Sequence, residues 1–347
     1  YLVDRVVPML PEILSNNVCS LRPQEEKYTF SAIFNINNKG EILEEWFGKS
    51  AIKSNRRFSY AEAQEIIETR KGKIRKEIAL KKKEYKVKEE MVKAILVLNE
   101  IAITLRQERK RQGSINFNKK EITFKLDEKK NPIEVIFKES KEANKLIEEF
   151  MLLANKKVAE LFKKLKKEPS VYRIHDSPDK EKLKALKTIV KEFGYSLDIS
   201  SREGTSRTLN KLLVEVKGTK EQNLIETLAI RSMSKAEYST QNIGHYGLGF
   251  KDYTHFTSPI RRYPDILVHR LLRECLERRK KMEKGLSSKC KHCSERETAA
   301  IKAERESTKY MQIKYMQDKK ETKFKGIISG ITDWGLYVEI EENKCEG

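Results

Sequence analysis

The sequence predicts an α+β fold, and three observations predict it. Short segments alternate apolar and polar residues with a period of two, and successive segments are separated by tight-turn residues. Longer segments space their apolar residues three and four apart, as a helix with one buried face does. The 347 residues could bury a large core or two, and length alone suggests two domains.

The elements follow in order. Tyr28, Phe30, Ala32 and Phe34 alternate as a half-buried strand, and Asn37-Asn38-Lys39-Gly40 turns the chain into a second strand through Ile42. Ser59 with Glu62 forms a capping box for a helix carrying Ile66 and Ile67. A long helix follows through Met91, Ile95, Leu98, Ala102 and Leu105. Ile122, Phe124 and Leu126, then Ile133, Val135 and Phe137, read as a hairpin around Asn131-Pro132. Leu146, Phe150, Ala154 and Leu161 line another helix, which ends before Pro169. Ser177 and Pro178 supply an N-cap and first turn for a helix that stops at Gly194. Leu224 to Met233 is a further apolar helix. The last helix is expected from Ser294 to about Lys320, with Ala300, Ala303, Ser307 and Tyr310 on one face. Beyond it, Phe324 to Val338 alternates like paired strands.

Charge narrows the partners. The chain carries 72 Lys and Arg against 52 Asp and Glu, a net charge of +20. Such a field favours a polyanion, nucleic acid first and an anionic membrane surface second. Much of the lysine excess reads as solvated helix surface, including Lys81-Lys82-Lys83. No apolar stretch is long enough to span a membrane, and no signal-peptide pattern opens the sequence. Five cysteines without framework spacing fit reduced thiols in a cytoplasm. Cys290-Lys291-His292-Cys293 has the spacing of half a zinc site, but no second Cys/His pair lies at a fitting distance. The segment reads instead as the entry to the helix at Ser294, with Glu297 completing a capping box.

The most informative stretch runs from His245 to His269. It holds three of the five histidines, two glycines, two prolines and the adjacent Arg261 and Arg262. Gly and Pro at this density fix backbone angles. Two arginines directly after Pro259-Ile260 leave a rigid turn at a set angle, which suits bidentate recognition of a phosphate. A buried polar turn that only closes a core has the same composition.

This segment resembles the signature of the ribonuclease R and ribonuclease II (RNB) family of 3′-5′ exoribonucleases. Two further segments resemble the family in the same order: Val6-Val7-Pro8-Met9-Leu10-Pro11-Glu12 with Ser15-Asn16 and Cys19-Ser20-Leu21, and Ala303-Glu304-Arg305. The resemblance implies that residues 1–322 are the C-terminal part of an RNB catalytic domain. Residues 323–347 would then be the first strands of an OB-fold barrel, an RNA-binding module. Both ends read as cuts through longer elements, so the sequence is expected to be a fragment. An incomplete barrel would expose unpaired strand edges.

The resemblance also implies a site. Arg261 would bind the scissile phosphate, with Arg262 beside it on the RNA, and Glu304 would lie in the active site, unless it serves only as a structural partner of Arg261. Glu148 would accept a ribose 2′-hydroxyl, which prefers RNA over DNA. Tyr1 and Phe117 would sandwich the 3′-terminal base, helix or hairpin packing being the alternative for both. Tyr263, Asp265 and His269 would support the arginine turn. Family members cleave single-stranded RNA with Mg²⁺ held by an Asp-x-Asp-Asp cluster, releasing nucleoside monophosphates. None of the nine aspartates here has another at i+1 or i+2, so no metal ligands are expected in this chain. The intact enzyme is expected to be a monomer. A non-catalytic RNA-binding product remains the rival reading.

Overall fold

Every sheet among the described residues is a two-stranded antiparallel ladder, and helices fill the space between the ladders. The computed structural model describes residues 1–117, 121–166, 168–277, 284–317, 319 and 322–347. After an N-terminal segment with one π-helical turn at Ile13–Val18, β1 (Glu26–Ile36) pairs with β2 (Ile42–Lys53). Then come α1 (Tyr60–Thr69), the short pair β3 (Lys73–Ile74) and β4 (Tyr85–Lys86), and α2 (Glu89–Arg111). β5 (Glu121–Leu126) pairs with β6 (Pro132–Lys138) ahead of α3 (Glu142–Lys164). β7 (Tyr172–His175) pairs with β8 (Ala236–Ser239) across α4 (Lys180–Glu192), α5 (Arg202–Glu215) and α6 (Gln222–Ser232). An irregular stretch leads to α7 (Tyr263–Leu276) and α8 (Leu286–Gln317), and β9 (Gly326–Thr332) pairs with β10 (Gly335–Ile340).

Three apolar cores organise these elements. The first joins Phe47 of β2, Val158 and Phe162 of α3, Leu267, Leu271 and Leu272 of α7, and Cys290 and Cys293 of α8. The second lies among α4, α5 and α6, where Leu186, Leu209, Leu212 and Ile225 are wholly buried. The third is a small satellite of Ile66, Ile74, Val87 and Val92 beneath α1 and the β3–β4 pair. Among the described residues no helix is long and apolar enough to cross a membrane.

Most elements lie where the residue pattern puts them, and the exceptions have local causes. α4 is capped by Asp179, not by Ser177 with Pro178: the Asp179 carboxylate accepts from the N–H groups of both Glu181 and Lys182. The Ser177 carbonyl instead accepts from the Ser234 hydroxyl. α5 is not among the helices expected from the residue pattern. Ser201 nevertheless caps it, and Leu209 and Leu212 bury its inner face. α8 starts two turns before Ser294, so Cys290 and Cys293 are helix-interior residues packed in the first core. Glu297 therefore completes no capping box. The side-chain hydroxyl of Ser294 bonds the Cys290 carbonyl behind it and accepts the Tyr238 N–H from β8. Lys81-Lys82-Lys83 lies not on a helix but on the turn joining β3 to β4, with Lys82 at φ 49°. Tyr28, at 96 % exposed, lies outside the core that Phe30, Ala32 and Phe34 reach.

The β9–β10 hairpin does not close into a barrel among the described residues. It is fastened to the end of α8, where Gln312 donates to the Lys344 carbonyl and Asn343 reaches the Met316 sulfur. Trp334 and Leu336 stay exposed.

The satellite core is pinned by Glu62, which is 1 % exposed. Its carboxylate accepts from the Ser59 N–H at 2.8 Å, the Leu80 N–H at 3.0 Å and the Tyr85 hydroxyl at 2.7 Å. Burial alone raises the pKa of a carboxyl, but these donors outweigh it and hold Glu62 below the usual carboxylate range. Charged hydrogen bonds contribute roughly 1.5–3 kcal/mol each. Glu62→Ala is therefore expected to destabilise the protein by about 3 kcal/mol, read as a fall in the urea midpoint. An unchanged midpoint would mean that the satellite core stands without this carboxylate.

Candidate nucleic-acid interface

The irregular stretch between β8 and α7 is held by side chains from other elements because it has no ladder of its own. Its backbone runs against β7: the Arg173 N–H donates to the Tyr253 carbonyl, and the His175 N–H donates to the Gly244 carbonyl, both at 3.0 Å. Thr254, wholly buried, donates its hydroxyl to the Val171 carbonyl. Asn155 of α3 does most of the remaining fastening. Its side-chain oxygen accepts the N–H groups of Phe256 and Thr257, and its amide nitrogen donates to the Tyr253 hydroxyl. Gly249, at φ +70°, lets the loop pass close to α2: a Cβ there would lie 3.0 Å from the Gln112 carbonyl oxygen and the Ser114 nitrogen.

The histidines belong to this scaffold. His175 accepts the Gly247 N–H on Nδ1 and donates from Nε2 to the Ser234 carbonyl, which fixes its neutral tautomer. It stacks on His245 with ring centroids 5.0 Å apart. His255 shares a 2.8 Å hydrogen bond with the Tyr238 hydroxyl, and His269 donates to the Phe256 carbonyl while stacking on its ring. Burial, then the charges of Arg262, Arg173 and Arg261, push His255 down to about 2. Burial and the neighbouring His175 bring His245 down to about 3. Both rings are uncharged at neutral pH.

The two adjacent arginines divide their work. Asp265, wholly buried in the first turn of α7, accepts the Ser258 N–H and the Arg262 guanidinium on one oxygen, at 2.7 and 2.8 Å. Arg262 thus turns inward and neutralises a buried carboxylate, although the sequence suggested an RNA contact for it. Arg261 is exposed, and among the described residues its guanidinium is given one hydrogen bond, at 3.3 Å to the Ser258 hydroxyl. Tyr263, 39 % exposed, and His269 flank this turn.

α8 brings the third motif alongside. Glu297 pairs with Arg173 at 2.6 Å, and Arg173 lies over the Tyr238 ring at 4.6 Å. Glu304 is exposed two turns further along the same side of α8. No ion pair joins it to Arg261 among the described residues. A cleft of about 770 Å³ between β8 and α8 is lined by Arg173, Lys235, Tyr238, Glu297 and Arg305, among others. The Arg173–Glu297 pair, missed in the sequence, ties β7 to α8. Nothing in the pattern around either residue marks them as partners 124 positions apart.

The other expected residues lie in separate settings. Glu148 is half exposed on α3, 4.0 Å from the Arg109 guanidinium, which is held chiefly by the buried carboxylate of Glu149 at 2.6 Å. Phe117 is half-buried against the second core, so core packing is at least part of its role. Tyr1 is 69 % exposed, near the point where the Val3 N–H donates to Ser307 of α8. The two aromatics are not in ring contact in the structure. No group of three or more His, Cys, Asp or Glu among the described residues is placed to hold a metal ion, so the residues present do not fit a Mg²⁺ site. Burial lifts the Cys290 thiol to about 11 and raises Cys293 as well, in keeping with their packing in the first core.

These features describe an α+β scaffold that presents one exposed arginine on a buried, basic turn. Residues 1–278 match the RNB domain model, and the chain belongs to that family. It is 36 % identical to ribonuclease R 1 of Lactococcus lactis over the whole of this chain and 42 % of that protein. It is also 36 % identical to ribonuclease R of Aquifex aeolicus, over 48 % of that protein. The chain thus spans about half, or less, of the length of these relatives. Among solved structures it superposes on Mycoplasma genitalium RNase R in complex with ribose-methylated single-stranded RNA. The TM-score is 0.87 at 28 % identity, covering 99 % of this chain and 53 % of that one.

The histidine cluster makes stability depend on mild acid. The unfolded chain takes up protons on His245 and His255 near their ordinary 6.5, whereas the folded rings resist down to about 3 and 2. Their contribution is therefore complete above pH 6.5 and is lost as pH falls below it. Between pH 6.5 and 5, stability should drop with a limiting slope of about 2.7 kcal/mol per pH unit, one increment per histidine. Urea midpoints measured at pH 7.5, 6 and 5 test this, and a flat profile would contradict neutral burial of the two rings.

Proposed function

We propose that this chain is the RNA-holding part of a 3′-5′ exoribonuclease that releases nucleoside 5′-monophosphates from single-stranded RNA. The observation that carries the reading is the division of labour at the arginine turn. Arg262 and Asp265 neutralise each other inside, and Arg261 is left exposed on a fixed backbone. A guanidinium so placed suits a phosphate oxygen that gains charge as the ester breaks. Glu304 on α8 would act at the same phosphate. Glu148 would accept a ribose 2′-hydroxyl, with Arg109 holding the carboxylate in place. Tyr1 and Phe117 would stack on the terminal base, a grip indifferent to sequence because every base has a π-face. Mg²⁺ would be held by carboxylates outside this chain, and no step is derived through it. Reduced cysteines and a polyanion partner fit a cytoplasmic setting.

A second reading, an RNA-binding chain that does not cleave, draws on the lack of a metal-holding carboxylate group among the described residues. Both readings require RNA to bind here.

Purified chain incubated with a short 3′-tailed RNA is expected to bind it without shortening it, with Mg²⁺ present. The logarithm of affinity should fall with that of salt by about 0.7 per phosphate neutralised. Arg261→Ala should weaken binding by about 1.4 kcal/mol, near tenfold, as loss of one charged hydrogen-bonding group does. Affinity unchanged in that variant would remove Arg261 from the interface. Stepwise shortening abolished by EDTA would show that a working metal site forms in this chain.

Glu148→Ala should narrow the preference for RNA over DNA of the same sequence by about 1 kcal/mol, roughly fivefold. Competition binding with the two oligonucleotides reads this directly, and an unchanged ratio would place ribose recognition elsewhere.

A further inference from the structure

The lysine-rich turn joining β3 to β4 lies outside the site just described. From Arg70 to Lys88 the chain carries ten Lys or Arg against two Glu, and all ten are exposed. Lys73 and Lys86 sit directly opposite each other in the β3–β4 ladder, a like-charge pairing that disfavours the fold. Several helical lysines have a carboxylate one turn away, as Lys93 has Glu89, Lys184 has Glu181 and Lys302 has Glu306. Three nearby carboxylates are already committed, Glu84 to Lys73, Glu65 to Arg75 and Glu62 to the satellite core, and Glu77 adds its charge near Arg75. Lys76, Lys81, Lys82 and Lys83 make no ion pair among the described residues.

A pre-organised cation stands next to this excess. The Arg56 guanidinium lies 4.2 Å from the ring centroid of Tyr85 and 5.4 Å from that of Phe58, with no carboxylate partner among the described residues. Stacking on rings orients the group while leaving N–H donors for an anion. The patch is mounted on the satellite core, so its charges are carried on a packed base.

We propose that this turn is a second RNA contact, which binds the phosphate backbone of a strand beyond the segment held at the arginine turn. The inference rests on the RNA-binding reading above and adds a separate surface to it. Flexible ammonium groups recognise phosphate as point charges, so the contact is indifferent to base sequence. Its use is to retain long RNA, whose phosphates reach both surfaces together and raise the effective concentration of the strand at the first.

The test compares RNAs of 8 and 30 nucleotides by fluorescence anisotropy over a range of salt. The variant replaces Lys76, Lys81, Lys82 and Lys83 with Gln, all exposed residues whose loss leaves the satellite core intact. A thermal midpoint matching the parent confirms its fold. The 8-mer is expected to bind within twofold of the parent. The 30-mer should lose about tenfold in affinity, and its log–log salt dependence should become shallower by about 2, or three phosphates at ~0.7 each. Equal losses for both lengths would show that the lysines act only as a diffuse field and would overturn the proposal. Unchanged binding of the 30-mer would do the same, as would loss of binding to phosphatidylserine vesicles with RNA affinity intact. A duplex arm of 30 base pairs tells whether paired strands use the surface as well. If the parent chain fails to bind the 8-mer at all, the arginine-turn reading falls, while the 30-mer comparison still decides this one.

Discussion

A buried stretch of irregular backbone must find hydrogen-bond partners outside itself, and the rest of this structure is arranged around that requirement. Between β8 and α7 the chain crosses the interior without forming a ladder long enough to satisfy its own amides. An unpaired buried amide costs about as much as a lost hydrogen bond, so each one recruits a group from elsewhere. Asn155 supplies three bonds from α3, Val171 accepts one from Thr254, and Asp265 reaches back from α7 to Ser258. The same stretch threads Tyr246 into the second core and Phe256 into the first, so the two cores cannot shift independently.

Charge placement follows from the same interior. Two buried carboxylates face arginines, Glu149 with Arg109 and Asp265 with Arg262, while the less buried Glu297 meets Arg173. Such pairs add little net stability against apolar substitutes, but removing one partner leaves a costly lone charge. Their contribution here is geometric. The Asp265–Arg262 pair sets the angle from which Arg261 leaves the surface, and the Arg173–Glu297 pair ties α8 to β7 behind it. Burial, to which three arginines near His255 add, keeps His245 and His255 uncharged at neutral pH. Each neutral imidazole serves here as a packing unit that also hydrogen-bonds, His175 at both ring nitrogens and His245, His255 and His269 at one.

The lysine excess divides into two populations once the fold is known. Several helical lysines sit one turn from a glutamate and are partly neutralised locally, which is how a chain can carry many charges without a binding role. Those of the β3–β4 turn have no such neighbours, because a tight turn offers no i, i+4 positions. Composition counts both populations alike, so only their placement separates a solvated face from a concentrated field.

The sequence by itself determined what depends on near neighbours. The capping box of Ser59 and Glu62, the hairpin turns at Asn37–Gly40 and Asn131–Pro132, and the helices α2, α3 and α6 appear where read, because their signals lie within a few residues, although Leu98 of α2 and Leu224 of α6 stay exposed. The wording of the 245–269 stretch was enough to indicate the family. Where two local signals competed, the local reading failed: Asp179 displaced Ser177 because a carboxylate accepts two N–H groups, and Ser294 was a poor guide because α8 was already two turns long. What only the tertiary structure decided was which of two adjacent arginines faces solvent, which carboxylate each buried cation meets, and whether Phe117 packs or protrudes. Those choices are made between groups up to 124 positions apart, where burial and the need to pair every buried charge act across the fold and leave no trace in the local order of residues.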